Sequence, residues 1–324
     1  MMDFPATLLH GSRGTGLWES LLDAGAGLLC EAPGRALVPW QGRACGVCAG
    51  CHLVRAGTHP DLRLVVPPAL AAELGLGAEE GGEGAQGAAE ARPAAAGREI
   101  GIEQVRALID WAQGTSHRGG PKVAVVHPLD AMAAPAANAL LKVLEEPPAS
   151  LCFLTGTFQL DRVLPTLRSR CRLRAWARPD PQTALAELQR RGQADAQAVL
   201  DWSRRAVFDT DPARGLEWTR RLVRQLAAGR VTQLDGVTPA QALESLQKLT
   251  LDLVRVRSGL APSYLAELDA PLRRLAGQGD TGAWLQWWQR LAQAARTPDF
   301  PVHAGLAVQA WVVELQQLCT SGAN

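Results

Sequence analysis

Short apolar runs alternate with amphipathic segments over the first 178 residues, and this alternation constrains the fold more than any other feature. The run at 122–127 (KVAVVH) is rich in β-branched residues and suits a strand that is buried on both faces. Four further runs of strand length lie at 7–10, 62–66, 151–155 and 171–176. Apolar residues at helical spacing separate the runs, which predicts an α/β domain at 1–178 with a mostly parallel sheet.

The pattern changes at Pro179-Asp180-Pro181, because no strand-like run of any length follows it. Apolar residues then recur at helical spacing, as they do between Leu243 and Leu253. The sequence therefore predicts a small helical domain at 179–215 and a larger all-helical domain at 216–324.

Charge and hydropathy exclude several classes of protein. Lys plus Arg number 33 and Asp plus Glu number 32, so a general polyanion binder acting by bulk charge is excluded. No run of eighteen apolar residues is present, and the first ten residues do not resemble a secretory signal. We therefore expect a cytoplasmic protein without a membrane segment.

The low-complexity stretch at 67–98 predicts a flexible surface insertion.

A glycine loop follows the first strand and matches the frame of a Walker A motif, G-x-x-x-x-G-K-[ST]. Gly11, Gly14 and Gly16 preserve the loop, but Leu17 occupies the lysine position and Trp18 the hydroxyl position. The motif needs its lysine for the β- and γ-phosphates and its hydroxyl for Mg²⁺. This substitution predicts a degenerate P-loop with no functional ATP or magnesium site.

The strand at 122–127 also indicates that the chain lacks a functional ATPase site. An ATPase of this class carries metal-binding and water-orienting carboxylates at the end of its Walker B strand. Here the strand ends in His127, and the nearest carboxylate is Asp130, which we predict to cap the next helix.

Four of the seven cysteines lie within 22 residues, a spacing typical of structural zinc sites. They are Cys30, Cys45, Cys48 and Cys51. Clustered cysteines without a secretory signal favour metal binding over disulfides. Four thiolates around zinc form a closed structural site with no open position for catalysis. Cys30 is favoured as the fourth ligand, because a long loop between ligands costs little extra entropy, and His52 and His59 are its rivals.

Ser169-Arg170-Cys171 lies between a short helix and the last strand. An exposed arginine at such a junction can reach the phosphates of a neighbouring subunit as an arginine finger. By itself, an arginine is more often solvated or ion-paired.

Three motifs together resemble the delta-prime family of clamp-loader subunits of bacterial DNA polymerase III, which are AAA+ proteins. They are GTHPD at 57–61, ANALLKVLEEPP at 137–148 and LRSRC at 167–171. The resemblance extends over residues 6–178, and ANALLKVLEEPP is its most specific part. The helical remainder matches in length and class only.

The resemblance implies a RecA-like AAA+ P-loop domain with a zinc module at 30–51, a helical lid domain and a helical collar domain. It implies a rigid stator without ATPase activity, in a pentamer with three gamma/tau ATPase subunits and one delta subunit. That complex opens the beta sliding clamp and places it on primed DNA for DNA-directed DNA polymerase, a nucleotidyltransferase. Arg170 corresponds to the family's arginine finger, which serves ATP in the adjacent gamma/tau subunit. The family's zinc module corresponds to the four cysteines.

Two other functions remain open on the sequence alone. An active gamma/tau-type ATPase would share the cysteines and the Ser-Arg-Cys motif, but Leu17 and His127 oppose it. A zinc-binding nucleic-acid adaptor would need a basic face around the cysteines, where the arginines are too diffuse to favour it. Loss of the lysine predicts loss of hydrolysis more firmly than loss of nucleotide binding.

Overall fold

A computed structural model describes most of the chain in two compact units, Met1–Arg178 and Pro179–Asn324. The described residues are 6–34, 38–76, 97–208, 212–229, 231–232, 234, 236–295 and 304–320. No helix in these ranges is long and apolar enough to cross a membrane.

The N-terminal unit is built on a five-stranded parallel sheet, which confirms the predicted α/β class. Its strands are β1 Ala6–His10, β2 Leu62–Val65, β3 Lys122–Val126, β4 Leu151–Thr157 and β5 Arg172–Ala175. Their order across the sheet is β2-β3-β4-β1-β5. The central strands β3 and β4 are buried along their whole length, as expected for a sheet covered on both faces.

Among the described residues of this unit, six α-helices accompany the sheet. They are α1 Leu17–Leu29, α2 Ala49–Arg55, α3 Pro68–Glu73, α4 Ile102–Gln113, α5 Ala134–Glu145 and α6 Pro165–Arg168. Alternate residues of β3 face opposite sides of the sheet, so Val123 packs in the α1 layer and Ala124 in the α4–α5 layer. The two layers place the sheet in the middle of the unit.

The predicted insertion at 67–98 differs from expectation in its first part, since residues 68–73 form α3. Leu70 and Leu76 pack against the layer that contains α1, and this contact offsets the ordering entropy of a short helix. Residues 77–96, which make up most of the predicted insertion, lie outside the described residues.

The described residues of the C-terminal unit form helices and their connecting loops, with no strand, as predicted. Its helices are α7 Pro181–Arg190, α8 Ala196–Ser203, α9 Pro212–Ala227, α10 Pro239–Arg257, α11 Asp269–Gln278, α12 Thr281–Ala294 and α13 Ala304–Thr320. One apolar cluster runs from Ala184 to Cys319. The boundary expected between 215 and 216 falls inside α9, so the division into lid and collar stays a prediction.

Candidate functional site

The glycine loop connects β1 to α1 at the carboxyl end of the sheet. Gly14 and Gly16 have φ angles of 75° and 81°, in the left-handed region that glycine adopts without a steric penalty. The loop is held from two sides, because Gly11 N donates to Thr157 O at 3.2 Å and Trp176 Nε1 donates to Thr15 O at 3.0 Å. Residues 14–18 are all buried, whereas a phosphate-binding loop must present its N–H groups to a ligand.

Leu17, at the lysine position, is a core residue with no exposed surface. It packs so closely on the end of β4 that a Cβ at Gly156 would lie 2.5 Å from Leu17 Cδ2. A side chain at Gly156 would force Leu17, Leu21 and His127 to shift, because atoms of all three lie within 3 Å of that Cβ position. The lysine position of the loop therefore contributes to the hydrophobic core.

Trp18 and His127 lie side by side at the end of β3, with ring centroids 5.7 Å apart. Phe158 also contacts the imidazole, in an edge-on arrangement with ring centroids 4.9 Å apart. Burial lowers the pKa of His127 to about 4, and the attraction of Asp130 opposes that shift only partly. A neutral aromatic cluster thus occupies the end of the strand where an ATPase carries its carboxylates.

Asp130 does not cap α5, so that prediction is wrong. Its Oδ1 accepts hydrogen bonds from Thr157 Oγ1 at 2.6 Å and from Phe158 N at 2.9 Å, beyond the end of β4. The residue before α5 is Ala133, which offers no side-chain acceptor. The carboxylate satisfies N–H and O–H groups of a neighbouring strand, which a local capping rule does not consider.

The four predicted cysteine ligands converge in one cluster. All four Sγ atoms lie within 4.8 Å of one another. The Cys30–Cys48 and Cys45–Cys51 pairs are 4.0 Å and 3.9 Å apart. A tetrahedral zinc site with Zn–S bonds of about 2.3 Å has sulfur–sulfur edges of about 3.8 Å, so the spacing fits a metal ion. The cluster includes Cys30, and neither His52 nor His59 belongs to it.

Backbone N–H groups surround the sulfurs. Cys48 Sγ accepts from Glu31 N and Cys51 N, both at 3.4 Å, and these bonds lower the pKa of the Cys48 thiol to about 6. Burial acts in the opposite direction on Cys51 and raises the pKa of its thiol to about 12. Metal binding requires thiolates, so the N–H groups favour the charged form at Cys48 before any cation binds.

Glu31 links the cysteine cluster to the body of the unit, and no sequence motif identified it. Its carboxylate accepts from Gly50 N at 3.1 Å, in α2, and from Arg118 Nε at 2.6 Å. Arg118 N in turn donates at 3.0 Å to Asp61, which is 1% exposed. Asp61 belongs to the GTHPD motif, and its own N donates to His59 Nδ1 at 3.1 Å. The position of Glu31, directly after a predicted ligand, was its only signal in the sequence.

Arg170 lies at the opposite end of the strands from the glycine loop. In the parallel pairing of β1 and β5, Thr7 aligns with Arg172 and His10 with Ala175. At about 3.3 Å per residue, the two levels are about 10 Å apart along the strand. Arg170 precedes Arg172, so it does not approach this chain's own loop. Its side chain is 33% exposed.

Comparison with known proteins bears on the whole N-terminal unit. The profile of the family described as "DNA polymerase III, delta subunit" matches residues 4–178, more than half of the chain. The DNA polymerase III subunit delta′ of Pseudomonas aeruginosa is 34% identical over 266 residues, which cover 81% of this chain and 64% of that protein. The subunit delta′ of Escherichia coli is 36% identical over 174 residues, covering 53% of this chain and 42% of that protein.

The matched regions thus span less than two thirds of the length of either relative. A solved gamma subunit-related protein of DNA polymerase III from Thermotoga maritima is 14% identical, with a TM-score of 0.46 and coverage of 98% of this chain and 96% of its own. On the strength of the profile match, the chain belongs to the family described as DNA polymerase III, delta subunit.

Proposed function

We propose that this protein is a stator subunit of a DNA polymerase III clamp loader and hydrolyses no ATP itself. One observation carries the proposal: residues 14–18 of the glycine loop and helix start are buried, and Leu17, a core residue, occupies the position of the phosphate-binding lysine. A leucine offers no charge to a triphosphate, and the packing of Leu17 on Gly156 stabilises the fold. The P-loop frame then has a structural role and takes no part in ATP hydrolysis.

The proposed chemical contribution of the chain is Arg170, acting on ATP bound to a neighbouring gamma/tau subunit. Its position, away from the chain's own loop, supports a role in trans. A guanidinium stays charged at all physiological pH values and presents N–H donors in a planar fork that matches phosphate oxygens. Placed against the transferred phosphoryl group, it stabilises the negative charge that develops in the transition state.

The cysteine cluster is proposed to hold one structural zinc ion through Cys30, Cys45, Cys48 and Cys51. When bound, zinc ties the segment after α1 to the start of α2 and leaves no open coordination position. Glu31 supports the site by fixing the N–H of Gly50. The site therefore contributes folding free energy and no catalytic step.

The proposed partners are the gamma/tau ATPase subunits and the delta subunit of the complex, and, through the complex, the beta sliding clamp and primed DNA. The relatives that match this chain include DNA polymerase III subunits named tau as well as delta′. We accordingly place the protein in the cytoplasm, where bacterial replication takes place. Activity belongs to the assembled polymerase complex and not to the isolated chain.

The test is ATP turnover by gamma/tau plus delta subunits, reconstituted with this chain on clamp and primed DNA. We expect Arg170→Ala to lower turnover about 10³-fold or more at sites that it serves, the range known for arginine fingers. Arg162→Ala, which removes an exposed arginine from the preceding loop, is the matched control and leaves turnover unchanged. The chain alone is expected to hydrolyse no ATP.

Three results would contradict the proposal in different ways. Turnover by the chain alone would restore the gamma/tau-type ATPase interpretation. Equal turnover by wild-type and Arg170→Ala complexes, both fully assembled, would remove the finger role. Tight binding of the isolated chain to nucleic acid, with no incorporation into the complex, would favour a zinc-dependent adaptor.

A further inference from the structure

Arg170 is held by acceptors from two different elements. Its Nη2 donates to Glu145 Oε1, at the last residue of α5, in a short ion pair. Its Nη1 donates to Thr166 O at 2.9 Å, in α6, and to Ser169 Oγ at 3.3 Å. Both members of the ion pair are partly accessible: the Arg170 side chain is 33% exposed and the Glu145 side chain is 50% exposed.

The geometry leaves part of the guanidinium available for a ligand. An arginine side chain carries five N–H donors, and the three bonds described above use three of them. Two donors therefore remain for an incoming oxygen while the ion pair stays intact. The pair thus orients the arginine without competing for all of its hydrogen-bonding capacity.

We propose that Glu145 is a positioning residue for Arg170, which keeps the guanidinium oriented for phosphate before a neighbouring subunit docks. This inference rests on the proposed role of Arg170 in trans. A long arginine side chain loses rotamer freedom when it engages a ligand, and a preformed pair reduces that loss at the moment of docking. Thr166 O and Ser169 Oγ would hold Nη1 of the planar guanidinium, and Glu145 would hold Nη2.

The expected effect is modest, because both side chains are partly solvated and such pairs contribute little. Glu145→Gln keeps the size and one acceptor oxygen of the side chain but removes its charge. We expect it to lower maximal ATP turnover about 2- to 5-fold at the site that Arg170 serves, with the KM for ATP at that site unchanged, since the nucleotide binds to the neighbour.

The matched control is Glu146→Gln, which removes the adjacent exposed carboxylate and should leave turnover unchanged. Both variants are combined with Arg170→Ala in a double-mutant cycle. If Glu145 acts through Arg170, Glu145→Gln has no further effect once the arginine is absent. Thermal unfolding and assembly of each complex show whether a general structural defect is responsible.

Two results would overturn the inference alone: unchanged turnover with Glu145→Gln while Arg170→Ala is impaired, or an equal loss in the presence and absence of Arg170. A third result, full turnover with Arg170→Ala in an intact complex, would refute the proposed finger role and the positioning role together. The outcomes therefore separate failure of the inference from failure of the proposed function.

Discussion

His127 provides a direct test of how the end of β3 is packed. Its side chain is 2% exposed and contacts both Trp18 and Phe158. Burial disfavours the charged imidazolium and lowers the pKa from 6.5 to about 4. An unfolded chain has no such environment, so the two states bind protons differently between these pH values.

The sign follows from proton linkage. Between pH 6.5 and pH 4 the unfolded state binds more protons at this histidine than the folded state, so the free energy of unfolding falls as the pH falls. Above pH 6.5 the imidazole is neutral in both states, and the folded state keeps its full stability with respect to this group. The gap between the two pKa values corresponds to about 3 kcal/mol of unfolding free energy in total, of which about 2 kcal/mol is lost by pH 5.

The assay compares wild type with His127→Phe, which keeps an aromatic ring beside Trp18 but has no titrating group. Any constant packing cost of phenylalanine cancels when the difference in unfolding free energy is followed against pH. We expect that difference to shift by about 2 kcal/mol in favour of the variant from pH 7.5 to pH 5. Hydrogen exchange in β3 and β4 during urea titration reports on this unit alone.

The control is His52→Phe, which removes an exposed histidine of α2. A difference between wild type and His127→Phe that stays constant from pH 7.5 to pH 5 would refute the reasoning. NMR of the six histidines offers a second readout, since the His127 imidazole should not titrate above pH 5.

Two further predictions concern the cysteine cluster and the C-terminal unit. We expect metal analysis to find about one equivalent of zinc per wild-type chain. Cys51→Ser should lose this zinc, whereas the buried Cys152→Ser should retain it, and equal zinc in both variants would contradict the site. Asp252→Ala should lower the unfolding free energy of the C-terminal unit by at least about 3 kcal/mol in urea titration, because the buried carboxylate accepts the N–H groups of residues 263–265. The exposed Asp201→Ala is its control, and a loss below about 1 kcal/mol would show that other acceptors replace the carboxylate.

Local pattern was sufficient for the secondary structure around the site. The run at 122–127 became β3, and the glycines at 14 and 16 adopt the left-handed conformations of a strand-to-helix loop. Both signals depend on neighbours within a few residues, which is why periodicity and glycine spacing predict them. The short helix at 68–73 was missed because its support comes from the sheet layer and not from its own sequence.

Contacts between distant segments could not be predicted in the same way. The sequence left His52 and His59 as rivals of Cys30, and only the fold brings Cys30 to the other three thiols. Asp130 is of a residue type that commonly caps helices and lies just before α5, yet its carboxylate oxygen is used by Thr157 and Phe158.

The alternating pattern and the residue types therefore decided the fold class, the apolar Leu17 at the end of the glycine loop and the set of thiols available to a metal. The tertiary structure decided which charged groups meet: Glu31 with Arg118, and Glu145 with Arg170. The reason is physical. Secondary structure follows from interactions within a few residues, whereas an ion pair between residues 25 or 87 positions apart exists only after the sheet and its helices have packed.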